Sequence, residues 1–536
     1  MSNRRGCRNA SVLAVVAAMV SATSVRAQFR CETGEFARLP ARPARPDYRF
    51  GHAVALHRDA ALVAARDWIG RVDVLRFRDG RWAEEAELRH PNEPKHAVMF
   101  GSSVSLRDDV AVIGARQDSI AQTRDGAAYV YRLVGDQWNF EARLTAPDRA
   151  ANDEFGAAVA IHDDRIIVGA PQPPDNGGGG RGRAYIFHFD GREWTHEDTI
   201  AADDGGLLDE FGNAVAVFGD FTVVGAWNHD NSGRRDFRDG AGAVYVFRLN
   251  HQTGRWEQEA KLPSTAPLRG QRDRFGRSVS LDSDALLVGT EPISFADPTP
   301  GGSAYVFRFD GRVWQPEAKL VSSELRGGDR FGAAVSLSGD IALVGAWGRW
   351  DGECPFPRIC LAGAAYVFRF DNGDWIESAK VESTGLMEND LFGWSVSVDG
   401  SRALIGTQRD DAVFFFTALS DCNGNDGLDL CDIARGVSRD DNGNGYPDEC
   451  DCTGRERIGR TRCKPGRVLN RLTVALKRGR PLDAFEVELS TGQRTVGTLD
   501  RRGTGRAKLT DVPLGEGTVR VTWQCGASAE RSYRCP

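Results

Sequence analysis

The sequence predicts an all-β chain: a seven-bladed β-propeller closed by an N-terminal strand, followed by a short polar linker and a small β-sandwich. Three observations predict it. Phe-Gly recurs at Phe50, Phe100, Phe155, Phe211, Phe275, Phe331 and Phe392, with spacings of 50, 55, 56, 64, 56 and 61 residues. Each interval reads as four short strands, which is the make-up of a propeller blade. The seventh interval lacks its fourth strand, and a matching segment stands near the start of the chain.

The chain opens with Arg4, Arg5 and Arg8, an apolar stretch from Ala10 to Val20, and Val25-Arg26-Ala27. This basic, apolar, small-residue order predicts a signal peptide over residues 1–27, cut near Ala27. The apolar run is shorter than the ~20 residues a membrane span needs, so no membrane span is expected. Export places the protein outside the cell, either secreted or at the cell surface. Cleavage would remove Cys7 and leave Cys31, Cys354, Cys360, Cys422, Cys431, Cys450, Cys452, Cys463, Cys525 and Cys535, an even set suited to disulfides.

The propeller is expected over residues 28–419. Each unit starts with Phe-Gly and an alternating apolar strand, turns at Asp or Gly, and runs through a second strand ending near Val-Gly-Ala. A polar loop of variable length leads to a third strand such as Ala365-Tyr366-Val367-Phe368, then Asp-Gly, a Trp and a fourth strand such as Glu317-Ala318-Lys319-Leu320. With 61 glycines and few helix-favouring runs, the composition agrees with short strands and tight turns. Trp82, Trp138, Trp194, Trp256, Trp314 and Trp375 all precede an acidic residue of the fourth strand and are read as packing between blades.

The last unit ends after Val413-Phe414-Phe415-Phe416 without a Trp or fourth strand. Glu35-Phe36-Ala37-Arg38-Leu39 resembles the other fourth strands, and Leu39 lies 11 residues before Phe50, as Leu144 does before Phe155 and Leu320 before Phe331. The N-terminal segment therefore supplies the missing strand. An open array of repeats would not need it.

The Phe-Gly and Val-Gly-Ala signatures resemble FG-GAP repeats, which form the propeller of integrin α chains, and the resemblance covers residues 35–419. It implies an extracellular binding or adhesion role. The family often carries an Asp-rich calcium loop between the first two strands. Here that turn is as short as Leu106-Arg107-Asp108-Asp109-Val110 or Ser338-Gly339-Asp340-Ile341, so no metal is expected there.

In an antiparallel meander the second-to-third loops and the blade-to-blade connections share one face. They are long and divergent, which makes that face the default binding surface. Candidate ligand-binding residues are Arg66, Trp68, Trp227, His229, Asp230, Trp347, Arg349, Trp350 and Asp351. Arg and Trp side by side can anchor a protein or stack on a sugar, and the alternative is tryptophans packing on neighbouring loops. Asp153, Asp209, Asp273, Asp329 and Asp390, each two residues before a Phe, read as local caps for backbone N–H groups. Cys354 and Cys360 would close a local disulfide in a protruding loop.

Residues 420–452 hold two loops rich in oxygen donors. Asp440, Asn442, Asn444, Asp448 and Asp451 fall at positions 1, 3, 5, 9 and 12 of a calcium loop with Gly445 at position 6, and Tyr446 offers its carbonyl at position 7. A sister loop has Asp421, Asn423, Asn425, Asp429 and Asp432, with its glycine one position late. The pair resembles the tandem calcium loops of dockerins and thrombospondin type 3 repeats, and Ca²⁺ would be structural, bracing the junction between domains. Cys31 with Cys422 and Cys431 with Cys450 are suggested bridges.

Residues 453–536 alternate as strands and suit a small disulfide-linked β-sandwich, with Cys452, Cys463, Cys525 and Cys535 available for two bridges. The segment holds 18 Lys/Arg against 8 Asp/Glu, whereas residues 28–452 sum to −21. Its basic character suits an acidic partner, its own acidic propeller, or ordinary solvation. No G-x-S-x-G, H-E-x-x-H or P-loop is present, and the nine histidines are scattered, so no enzyme activity is expected. The function expected is a binding or adhesion protein whose partner is an extracellular protein or polysaccharide and not a nucleic acid. The alternatives are a propeller-based extracellular hydrolase or lyase, and a dockerin-like scaffold.

Overall fold

The computed structural model describes residues 32–33, 37–40 and most of 49–416, together with the strands between 457 and 535. Within 49–416 it leaves out 67–68, 79–80, 93–97, 119–123, 172–179, 231–239, 264–272, 293–300, 323, 350–360, 372, 383–389 and 410–411. The described residues form strands and turns without a helix, so none is long and apolar enough to cross a membrane.

Residues 37–416 build repeated four-stranded antiparallel sheets, the architecture of a β-propeller. Their first strands are Phe50–His57, Phe100–Arg107, Ala158–His162, Phe211–Phe218, Ser278–Asp282, Phe331–Ser338 and Ser395–Asp399. In the first sheet the order continues outward through Ala60–Ala65, Arg71–Arg78 and Arg81–Arg89. Each first strand lies against the first strand of the next sheet, and the seventh lies against the first. All seven line one polar cavity of about 310 Å³.

Serines stitch these first strands together. Ser105 Oγ accepts the amide of Ile161 (3.2 Å), Ser280 that of Leu337 (3.0 Å), and Ser336 that of Val398 (3.0 Å). Ser397 accepts the amide of Leu56 at 2.9 Å, so the seventh and first sheets meet as their neighbours do.

The N-terminal strand Ala37–Pro40 pairs antiparallel with Ala412–Phe416, Ala37 opposite Phe415 and Leu39 opposite Val413. The expected donor strand is therefore in place. One pairing was not expected: Glu32–Thr33 lies parallel to Asp374–Val381, Glu32 opposite Lys380, which gives the sixth sheet a fifth strand.

Glycine explains both signatures. Gly156 of Phe155-Gly156 has φ +91°, and a Cβ there would stand 2.3 Å from the carbonyl oxygen of Ala127 in the preceding sheet. The phenylalanines are fully buried; Phe155 rests on Tyr185 (5.4 Å) and Phe187 (6.1 Å) of its own third strand.

The tryptophans pack between sheets, as expected, and three of them also donate. Trp194 Nε1 donates to Glu141 Oε1 of the preceding sheet (2.7 Å), Trp256 Nε1 to Glu197 Oε2 (3.2 Å), and Trp375 Nε1 to Glu317 Oε1 (2.6 Å). Each glutamate is also held by an arginine of its own sheet: Arg132, Arg165 and Arg308. Trp82 of the first sheet stacks on Phe415 of the seventh at 4.1 Å. Apolar burial between sheets supplies most of the cohesion, at roughly 25 cal/mol per Å².

Near the C-terminus, Arg457–Lys464, Arg471–Lys477 and Gly505–Thr510 form one sheet. Arg494–Thr498, Ala484–Leu489, Gly515–Trp523 and Ser528–Cys535 form another. Leu472, Val474, Val487, Leu509 and Val521 share one apolar cluster across the two. A Cys463–Cys535 disulfide ties a strand of each sheet together. The suggested bridges of Cys31, Cys354, Cys360, Cys422, Cys431 and Cys450 lie outside the described residues, as do Cys452 and Cys525.

Candidate functional site

The residue before each Phe sits where the chain enters a sheet, beside the residue that leaves the second strand. Phe50 pairs with Ala65, so Arg49 and Arg66 flank one pair; Phe100 pairs with Ala115, so Met99 and Arg116 flank the next. Arg49, Met99, Glu154, Glu210, Arg274, Arg330 and Leu391 fill the position before Phe, all with φ between 45° and 58°. That left-handed backbone costs about 1–2 kcal/mol per non-glycine residue, which the buried Phe-Gly turn must offset. Just beyond the second strand stand Arg66, Arg116, Trp227 and Trp347, one residue past its end, and Glu291, two past it.

These two positions, with the residue two after each Phe, lie at the loop-side start of the first strands, at the opposite end from the residues that line the cavity. Arg277 and His52 occupy that third position in the fifth and first sheets, and Trp394 in the seventh. Six arginines, Arg49, Arg66, Arg116, Arg274, Arg277 and Arg330, stand there against Glu154, Glu210 and Glu291. Glu291 is shared: Arg277 Nε lies 2.7 Å from it, Arg330 Nη1 2.5 Å and Arg274 Nη1 3.5 Å. Burial would push the Glu291 carboxyl up, but the three guanidiniums hold it below the usual carboxylate range.

Two guanidiniums stack on indoles, Arg274 over Trp227 at 4.2 Å and Arg330 over Trp347 at 4.4 Å. Trp347 also meets Trp394 at 5.1 Å, and His52 lies 6.0 Å from Trp394. Burial together with Arg66, Arg116, Arg49 and Arg277 lowers the His52 pKa to about 3, which keeps the ring neutral at physiological pH. Arg66 is lowered to about 10 by burial and by Arg116 and Arg49.

The sequence-predicted residues separate into three groups. Arg66, Trp227 and Trp347 share one position in their sheets, just beyond the second strand. His229 and Arg349, two residues further on in their sheets, are built into local networks instead. His229 Nδ1 bonds Asp209 (2.6 Å) and its Nε2 lies 2.8 Å from Lys261 Nζ. Arg349 reaches Tyr366 Oη (3.0 Å) and Glu324 (3.3 Å), and Asp230 is half-buried beside His229. Trp68, Trp350 and Asp351 lie outside the described residues.

So do all the candidate calcium ligands, Asp421, Asn423, Asn425, Asp429, Asp432, Asp440, Asn442, Asn444, Tyr446, Asp448 and Asp451. Among the described residues, no group of three or more His, Cys, Asp and Glu side chains could hold a metal. The aspartates two before Phe act as caps where their bonds are seen: Asp153 accepts the amide of Ala150 (2.6 Å), Asp209 that of Gly206 (2.6 Å), and Asp329 that of Arg326 (2.8 Å).

The FG-GAP repeat family matches the chain over residues 82–131, 138–187, 194–247, 256–307, 314–368 and 375–416. The chain belongs to the FG-GAP repeat family. Each matched unit begins at the Trp of one sheet and ends in the third strand of the next, so the FG-GAP unit straddles two sheets, and the glycine and Trp–Glu contacts join one unit to the next. No curated protein matches the chain. Among solved structures, a chain of "Crystal Structure of Mitotic Checkpoint Complex" is similar at 11% identity with a TM-score of 0.43, over 74% of this chain and 98% of that one.

His52, Arg49, Arg116, Arg274, Arg277, Glu291, Arg330 and Trp394 were not singled out from sequence. Comparing the seven repeats position by position, before and after Phe-Gly, would have found them.

Proposed function

We propose that this FG-GAP protein is a secreted or cell-surface binding protein without enzymatic activity, which recognises an extracellular protein or polysaccharide through its loop-rich face. The observation that carries the reading is the cluster of arginines and tryptophans at the loop-side end of the first strands. Arg and Trp provide large contact area, planar hydrogen bonding and little conformational cost, the properties of interface anchors.

The supporting scaffold in this reading is a closed wheel of seven blades. The Leu56–Ser397 bond, the Trp82–Phe415 stack and the shared cavity support closure. Residues 420–452 bind structural Ca²⁺ through the side chains named above, and residues 453–536 form a small β-sandwich fastened by Cys463–Cys535.

The test uses residues 28–536 on arrays of glycans and of extracellular proteins, with and without Ca²⁺. Binding that is lost in Trp227→Ala and Trp347→Ala, with unchanged circular dichroism, supports the reading. A folded protein that captures neither class overturns it.

A further inference from the structure

We infer that the arginine and aromatic cluster at the loop-side start of the first strands takes a carboxylate-bearing saccharide, its carboxylate on Arg49 and Arg66 and its ring against Trp394 and His52. This rests on the binding-protein reading and names its ligand class.

Charge balance singles out the two arginines. Arg274, Arg277 and Arg330 have Glu291, and Arg116 has Glu154 at 3.3 Å. Arg49 and Arg66 have no carboxylate within ion-pair distance among the described residues; Arg66 Nη2 instead lies 3.5 Å from Met99 Sδ. Arg49 is exposed and Arg66 half-buried, so both can meet a ligand. Two adjacent guanidiniums repel one another, and a carboxylate between them would relieve the repulsion while accepting paired N–H donors.

The aromatic side of the site is next to them. His52 follows Arg49 by three residues, and its buried Nδ1 has no hydrogen-bond partner. Held neutral among four guanidiniums, that ring can exchange a hydrogen bond with a sugar hydroxyl without adding charge. Its neighbour Trp394 is half-buried, and Trp347 beyond it is backed by Arg330. A pyranose presents both an apolar C–H face for an indole and a carboxylate for the arginines. An acidic peptide would satisfy the charges and leave the aromatic group unused.

The experiment is calorimetric titration of residues 28–536 with a galacturonate trisaccharide, a neutral galactose trisaccharide and a tri-glutamate peptide. The inference expects the uronate to bind and the other two to bind at least about tenfold more weakly. Arg49→Ala with Arg66→Ala should weaken the uronate about tenfold or more, the size of a lost charge-assisted hydrogen bond. Trp394→Ala should weaken it while Trp394→Phe largely restores it, with the melting temperature of each variant as the folding check.

No uronate binding, or uronate affinity unchanged in the folded double-arginine variant, overturns the inference. Equal binding of tri-glutamate, with no effect of Trp394→Ala, also overturns it and leaves a general acidic-peptide surface. Any of these results together with capture of another ligand on the arrays would leave the binding-protein reading standing.

Discussion

The carbonyl oxygen of Gly51 lies 2.2 Å from the point where a Cβ on Gly406 would stand. The two residues belong to the first and seventh sheets. The same meeting recurs between Gly114 and Gly156 (2.1 Å), Gly169 and Gly212 (1.9 Å), Gly225 and Gly276 (2.2 Å), Gly289 and Gly332 (1.9 Å), and Gly345 and Gly393 (2.2 Å). The Gly of Val-Gly-Ala and the Gly of the following Phe-Gly are thus two halves of one contact between backbones.

Gly406→Ala should therefore destabilise the protein by about 3 kcal/mol or more, since the methyl meets the Gly51 carbonyl, which is backbone and cannot swing aside, as well as Ser395 Oγ at 2.3 Å. Gly191→Ala, where φ is +93° and no atom lies within 4 Å, should cost only the left-handed penalty of about 1–2 kcal/mol. Denaturant titration of both variants checks the difference.

A chain beginning at Asp47 lacks Ala37–Pro40 and leaves Ala412–Phe416 as a bare edge. The loss of its backbone pairing should cost about 2–4 kcal/mol at roughly 1 kcal/mol per hydrogen bond. Hydrogen exchange should show protection falling first at residues 412–416. Unchanged exchange there would contradict the pairing.

Glu141→Ala removes the acceptor of Trp194 Nε1 and the partner of Arg132 at one stroke. A loss of about 1–3 kcal/mol is expected. Adding Trp194→Phe should cost less in the Ala background than in the wild type, which a double-mutant cycle by thermal unfolding would measure.

Burial pushes the Asp73 carboxyl up to about 7, further than the adjacent Arg71 pulls it down, with Glu84 and Glu87 adding to the rise. The folded state then holds a proton that the unfolded chain releases near pH 4. The stability contributed by this group is complete below about pH 4 and is lost as pH rises through about 7. Asp73→Asn should flatten that slope in melting temperatures measured from pH 4 to 8.

The fold was legible because its signals are local and repeated. Phe-Gly fixes where each sheet starts, and the 11-residue interval from Leu39 to Phe50 placed the donor strand. Glu32–Thr33 was not legible, since two residues carry no alternation to read. The Trp–Glu bonds were half legible: the acidic residue two or three after each Trp was visible, yet the indole that bonds Glu141, Glu197 or Glu317 comes from the next sheet, more than 50 residues away.

The site was less legible still, because His52, Arg277 and Trp394 are gathered by the arrangement of the sheets and not by nearness in sequence. Trp227 and Trp347 stood out as rare residues in polar loops, whereas His229 and Arg349, read with them, turned out to serve Tyr245 and Tyr366 of their own sheets.

The pairing of Ala37–Pro40 with Ala412–Phe416 also sets an order of events during synthesis. The chain is made from its N-terminus, and 371 residues separate Pro40 from Ala412. This early strand must therefore wait, unmated, until almost every other sheet has been translated, while free outer edges accumulate beside it. Its brevity and its terminal proline make it a poor mate for those edges, so the last ribosomal steps of this region, not the first, decide when the molecule locks.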